Sequence, residues 1–151
     1  MDVLVFNLNG QRYGLAGVDV RRVVHAVAIA PLPRAPAIVE GVINLQGRFV
    51  PILDIRARFR LPSKPLALTD HFIVAVVGER TVAIRADAAV GLFTVDPGAV
   101  TDAALVAPNI EMVAGVAKLP DGLALIHDLR AFLSEAEAKT LDDAIGDETS
   151  P

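Results

Sequence analysis

Residues 39–59 read VEGVINLQGRFVPILDIRARF, and residues 113–133 read VAGVAKLPDGLALIHDLRAFL. At a fixed offset of 74, without a gap, Val39, Gly41, Val42 and Leu45 meet Val113, Gly115, Val116 and Leu119. At the same offset Ile52, Asp54, Arg56 and Ala57 meet Ile126, Asp128, Arg130 and Ala131. The apolar matches can arise from strand composition, but the Gly, Asp and Arg matches are harder to obtain that way. A fainter echo at offset 68 aligns Asp2, Gly10, Arg12 and Asp19 with Asp70, Gly78, Arg80 and Asp87. Each half therefore runs strand, glycine turn, strand, acidic residue, strand, then G-V-x-x-L, turn, strand and Asp-x-Arg-Ala. Two copies are too few for a solenoid, so the pattern predicts two related β units packed side by side.

The local signals agree with short strands. Val3–Leu8 is β-branched and aromatic, and Asn9-Gly10 after it is a strong hairpin signal because both residues accept positive φ. Arg12–Leu15 is the return strand. Val18–Ala30 is a longer β-branched segment closed by Pro31 and Pro33, with a single turn at Ala37–Glu40 behind Pro36. Val42–Leu45 and Arg48–Ile55 flank a turn at Gln46-Gly47, and Pro51 predicts an edge or a bulge because it has no N–H. One helical turn follows over Arg56–Leu61, and 61–68 (LPSKPLAL) is a connection by composition. The second block has strands at Phe72–Val77, Thr81–Ala86, Gly91–Val95, Val116–Leu119 and Leu123–His127. Its turns are Gly78-Glu79, Asp96-Pro97-Gly98 and Pro120-Asp121-Gly122. Ser134 and Glu137 have capping-box spacing. An apolar stripe of Ala138, Leu141 and Ile145 predicts a helix from Glu135 to about Ala144. Gly41 and Gly115 mark tight bends where a Cβ would clash. Asp54 and Asp128 are placed to cap the turns that follow them.

Strands of four to eight residues with no repeated crossover helices indicate a mainly β chain, not a parallel α/β sheet. At 151 residues the prior is one domain. Its division is 1–134 in two β-barrel halves, roughly 1–62 and 68–134 with interleaving allowed, followed by 135–151 as a helix and acidic tail. Hydrophobic residues make up 53% against 5% aromatics, enough for a core with apolar surface left for a partner. The absence of cysteine excludes disulfides, thiolate metal sites and cysteine nucleophiles. A net charge of −4 with dispersed Lys and Arg argues against nucleic acid. The apolar runs are too short to cross a bilayer, and MDVLVFNLNG has no basic segment ahead of its apolar residues. The expected location is therefore cytoplasmic.

Catalytic signals are weak. His25, His71 and His127 show no metal-ligand spacing and read as partly exposed strand residues. Asp19, Asp54, Asp87 and Asp128 recur at equivalent repeat positions, which favours capping over acid–base work. No Walker loop, dinucleotide fingerprint or nucleophile elbow is present. No enzyme activity, cofactor or metal is expected.

The residues GVINLQGRFVPILDIRARF resemble the central motif of CheW-type coupling proteins, close to G-V-I-N-L-R-G-x-x-V-P-x-x-D-L-R-x-x-F. The segments FNLNGQRYGLAGVDVRRVV, GERTVAIRADAAVGLFTV and VAGVAKLPDGLALIHDLRAFLS resemble that family's opening, second-half and closing segments, in order, over about residues 3–134. The resemblance implies two five-stranded SH3-like barrels sharing a hydrophobic seam. It implies a non-enzymatic adaptor of chemotaxis and two-component signal transduction, bridging chemoreceptor cytoplasmic tips to the regulatory domain of a CheA-type histidine kinase. The partner-binding residues it points to are Val20, Val23, Gly41, Asn44, Gln46 and Arg48, with Arg22 at the rim. A kinase contact is placed around Val82 to Val90, with Val90 as its marker. The chain departs from the family pattern at Gln46, where Arg is usual, and at Arg22, where Glu is frequent. The alternatives are a scaffold for another signalling partner, or a small-molecule or nucleic-acid-binding barrel.

Overall fold

The computed structural model describes residues 2–96, 100–102, 113–119, 122–127 and 129–149. The strands are β1 (Asp2–Leu8), β2 (Gln11–Ala16), β3 (Val20–His25), β4 (Val39–Leu45), β5 (Arg48–Leu53), β6 (His71–Val77), β7 (Arg80–Ala86), β8 (Ala88–Thr94), β9 (Val100–Asp102), β10 (Val113–Leu119) and β11 (Gly122–His127). A short helix α1 (Ile55–Arg58) follows β5, and α2 (Glu135–Thr149) closes the chain. The protein is mainly β, built from two barrel-like units side by side. One sheet runs β8-β1-β2-β11-β10-β9 and the other β3-β6-β7-β5-β4.

The repeat explains these two orders. Offset 68 carries β1 and β2 onto β6 and β7, and offset 74 carries β4 and β5 onto β10 and β11. With β3 matched to β8, the second sheet reads as the first, apart from the short β9. Each sheet, however, joins the first hairpin of one half to the second hairpin of the other. The chain changes sheet at Gly17–Asp19 and returns at Asp87, not at the connection 61–68. The joints are two short parallel ladders, Leu125–His127 against Tyr13–Leu15 and Ile52–Leu53 against Ala83–Ile84. Even the irregularities recur, with a register shift at Val39/Gly41 in β4 and another at Val113/Gly115 in β10.

Strand alternation feeds separate cores. In β1, Leu4, Phe6 and Leu8 point to a large seam between the sheets, while Val3 and Val5 line the first barrel. In β6, Ile73 and Ala75 face the same seam, while Phe72 and Val74 line the second barrel. Leu129, Phe132, Leu141 and Ala144 also enter the seam, so α2 packs as a structural element. Its N-terminus has the expected capping box: the Glu137 N–H donates to Ser134 Oγ and the Ser134 N–H to Glu137 Oε1, at 3.1 and 3.0 Å. The helix runs to Thr149, beyond the apolar stripe that predicted its end near Ala144.

Other expectations are corrected. β5 is an interior strand despite Pro51. Val42 faces Pro51 across the β4 ladder, and pairing with β7 begins only at Ile52, so no donor is needed where proline lacks one. The segment 18–30 is not one strand: a 3₁₀ turn precedes β3, and beyond His25 the Ala26 N–H donates to the Asp70 carbonyl before Ala30 forms an isolated bridge with Val42. His127 is buried rather than partly exposed. Its ring packs 5.1 Å from Tyr13, 4.7 Å from Phe59 and 5.5 Å from Phe132. His71 is half-buried, its ring tilted against that of the exposed His25 at 5.0 Å. The predicted turns Asp96-Pro97-Gly98 and Pro120-Asp121-Gly122 and the cap at Asp128 lie partly or wholly outside the described residues.

Candidate partner-binding site

The second barrel opens at one end into a groove of about 400 Å³. Its floor is apolar: Val50 and Val74 belong to the barrel's own core cluster, flanked by Val76 and Leu45. Its rim carries Arg21 and Arg22 from β3, and Gln46 and Arg48 from the β4–β5 hairpin, with Thr81 from β7. The hairpin is built by local chemistry. Gln46 and Gly47 take φ of 54° and 85°, the left-handed pair that a two-residue turn requires. Asn44 Oδ1 accepts the Gly47 N–H at 2.8 Å and holds the turn. That turn lifts Gln46 and Arg48 to the rim.

Of the residues singled out by the sequence, Arg22, Gln46 and Arg48 thus meet at one groove. Asn44 stands beside them as the turn's internal acceptor. Val20 is half-buried against the seam core, and Val23 is exposed further along β3. Gly41 lies elsewhere, buried at φ 155°, and a Cβ there would come 2.2 Å from the Ala30 carbonyl oxygen. Val90 is exposed on β8, in the other sheet. Arg21, Val50 and Val74 were not expected at this site. Arg21 is the residue skipped by a register shift between Val20 and Arg22, and that bulge turns it toward the groove. No sequence pattern announces a bulge at that position.

Seven of the arginines fall into two groups. Arg56, Arg58, Arg80 and Arg85 each pair with a carboxylate: Asp87, Glu137, Asp142 and Glu40 respectively. Arg56 is 5% exposed and also donates to the Pro62 carbonyl at 3.0 Å. Burial alone would raise the Asp87 carboxyl. The Asn9 N–H, the Arg56 guanidinium and Lys64 outweigh it and hold the group below the usual aspartate range. Burial pushes Glu40 up, against the opposing pull of Arg85. Arg21, Arg22 and Arg48 face no carboxylate among the described residues. Arg21 Nη1 donates to the Val18 carbonyl at 2.9 Å, and Arg48 Nη1 to Thr81 Oγ1 at 3.4 Å. No cluster of His, Cys, Asp or Glu among the described residues could hold a metal ion, and no helix among them is long and apolar enough to cross a membrane.

A family model described as the CheW-like domain matches residues 2–137. The chain belongs to the CheW-like domain family. It is 26% identical over 145 residues to "Chemotaxis protein CheW" of Treponema pallidum, covering 92% of this chain and 85% of that one. It is 33% identical over 94 residues to the "Chemotaxis protein CheW" of Rhizobium meliloti, covering 62% and 61% of the two chains. Among solved structures it resembles the "scaffolding protein TtCheW" of Thermoanaerobacter tengcongensis. The TM-score is 0.80 at 26% identity, over 90% of this chain and 94% of that one. The CheW-like likeness therefore spans both sheets and the seam, not the repeated motif alone.

Proposed function

We infer that this chain is a non-enzymatic adaptor of chemosensory signal transduction, holding a chemoreceptor cytoplasmic tip and the regulatory domain of a CheA-type histidine kinase in one assembly. The observation that carries the reading is the CheW-like match over residues 2–137, joined to the 0.80 TM-score with a scaffolding protein of that family. Binding energy at two surfaces couples the partners, so that a change of state in one biases the other. The first surface is the groove with Arg22, Gln46 and Arg48 at its rim, with Val20 and Val23 on the adjoining strand. Asn44 and Gly41 act through backbone shape, by holding the hairpin and the β4 bend. The second surface is around Val90.

The test is co-elution on a sizing column of the full chain with the regulatory domain of a CheA-type kinase, and separately with a receptor cytoplasmic-tip fragment, both from the same genome. A complex with both supports the reading. No complex with either at tens of micromolar overturns it.

A further inference from the structure

The mouth of the second barrel combines an apolar floor with a rim of guanidinium groups that have no counter-charge. Resting on the adaptor reading, we propose that this mouth docks an acid-flanked apolar segment of a protein partner. An apolar side chain seats over Val50 and Val74, and carboxylates beside it meet Arg21, Arg22 and Arg48.

Three observations lead there. The first is the pairing of charges. Arg56, Arg58, Arg80 and Arg85 are all matched to carboxylates within the chain, whereas the rim arginines of this groove use at most one nitrogen each on neutral oxygens. A guanidinium has five N–H donors in a planar fork suited to carboxylate, so most of that capacity remains directed outward. The second is sign. The chain carries a net charge of −4, yet the groove lining contains three arginines and no acidic residue. A local cationic site on an acidic protein attracts an acidic face. The third is the floor. Val50, Val74, Val76 and Leu45 offer no hydrogen bonds. The Gly47 N–H, the amide nearest to a phosphate cradle, is already given to Asn44. A phosphate or nucleotide would leave that floor wet, whereas an apolar side chain ringed by carboxylates satisfies both parts of the site.

The test measures binding of the full chain to the kinase regulatory domain and to the receptor-tip fragment at about 50 and about 300 mM NaCl, where screening lengths differ about 2.5-fold. The variants are Arg22→Glu, Arg48→Glu and the milder Arg22→Gln, with Lys118→Glu, at an exposed position of β10, as a control with the same charge change. Unchanged melting curves establish that the exposed substitutions leave the fold intact. The expected result is that at least one partner binds more weakly at high salt. Arg22→Glu and Arg48→Glu each weaken that partner about tenfold or more and flatten its salt dependence, Arg22→Gln does so less, and Lys118→Glu stays within about twofold. If the wild type binds but the rim variants bind equally well or more tightly, the proposal falls and the adaptor reading stands. If the wild type binds neither protein, the adaptor reading falls and takes this docking mode with it. Saturable binding of inorganic pyrophosphate, lost in Arg22→Glu while both protein partners remain unaffected, overturns the proposal in favour of a small-anion site.

Discussion

Arg56 Nη2 lies 3.0 and 2.8 Å from the two carboxylate oxygens of Asp87 and joins the helical turn after β5 to the residue where the chain crosses from β7 to β8. The same carboxylate accepts the Asn9 N–H of the β1–β2 turn at 2.9 Å, and Lys64 approaches it at 3.4 Å. One aspartate therefore ties both sheets and the 61–68 connection together. Asp87→Asn leaves a buried guanidinium without its charge partner and should cost about 3 kcal/mol. Arg56→Met with Asp87→Asn should cost less than the sum of the two single changes. Urea denaturation of the four members of that cycle checks this, and additivity would contradict the pairing.

The pH dependence follows from the same group. The folded-state pKa of Asp87 is depressed, so its stabilising contribution is complete above the usual aspartate range and is lost as pH falls through the depressed value. Glu137 has the same sign. Burial opposes it, but the Arg58 guanidinium and Ser134 hold it down. Thermal melts should show the midpoint falling from about pH 6 to about pH 3, with a shallower acid slope in Asp87→Asn.

Exchange of hairpins between the halves predicts fragment behaviour. Residues 1–63 contain β1 and β2 without β8, β10 and β11, and β3 to β5 without β6 and β7. Neither that fragment nor 64–151 has a complete sheet, so each exposes half of a seam. Each should lack fixed tertiary structure alone by near-ultraviolet circular dichroism and amide exchange. An equimolar mixture should recover a folded complex. A stably folded single fragment would contradict the exchange.

Two glycines separate shape from space. Gly47 has φ 85° with open surroundings, so Gly47→Ala should cost only about 1 kcal/mol of left-handed strain. Gly41→Ala adds a Cβ 2.2 Å from the Ala30 carbonyl oxygen and 2.7 Å from Ile29 Cγ2. Backbone cannot yield as a flexible side chain can, so its cost should exceed that of Gly47→Ala by about 2 kcal/mol or more. Chemical denaturation of both variants gives the comparison.

The C-terminal helix is held by burial. Leu141 is fully buried in the seam, and Leu141→Ala should cost about 3 kcal/mol. Asp142→Ala on the exposed side breaks a partly screened pair with Arg80 and should cost less than about 1 kcal/mol.

Much of this was legible before any coordinates. Asn9-Gly10 and Gln46-Gly47 announced hairpins because few residue pairs accept positive φ. Asp54 announced a cap, and its Oδ1 accepts the Arg56 N–H at 3.1 Å. Gly41 announced a close approach. What stayed hidden depended on residues far apart in the chain. Arg21 reaches the groove through a bulge opposite β6, and His127 is buried because Tyr13, Phe59 and Phe132 converge on it from three separate segments. The Arg56–Asp87 pair spans 31 residues with no periodicity to signal it.

The order of the strands, the turn chemistry and the existence of two related units belong to the sequence, since alternation, glycine placement and repetition act over a few residues at a time. Which hairpin joins which sheet was decided only in three dimensions. The repeated hairpins are chemically alike, so local preference does not choose between pairing within a half and pairing across halves. Burial of one shared seam by both sheets and the C-terminal helix makes that choice. It also leaves the rim arginines of the second barrel facing outward without a counter-charge.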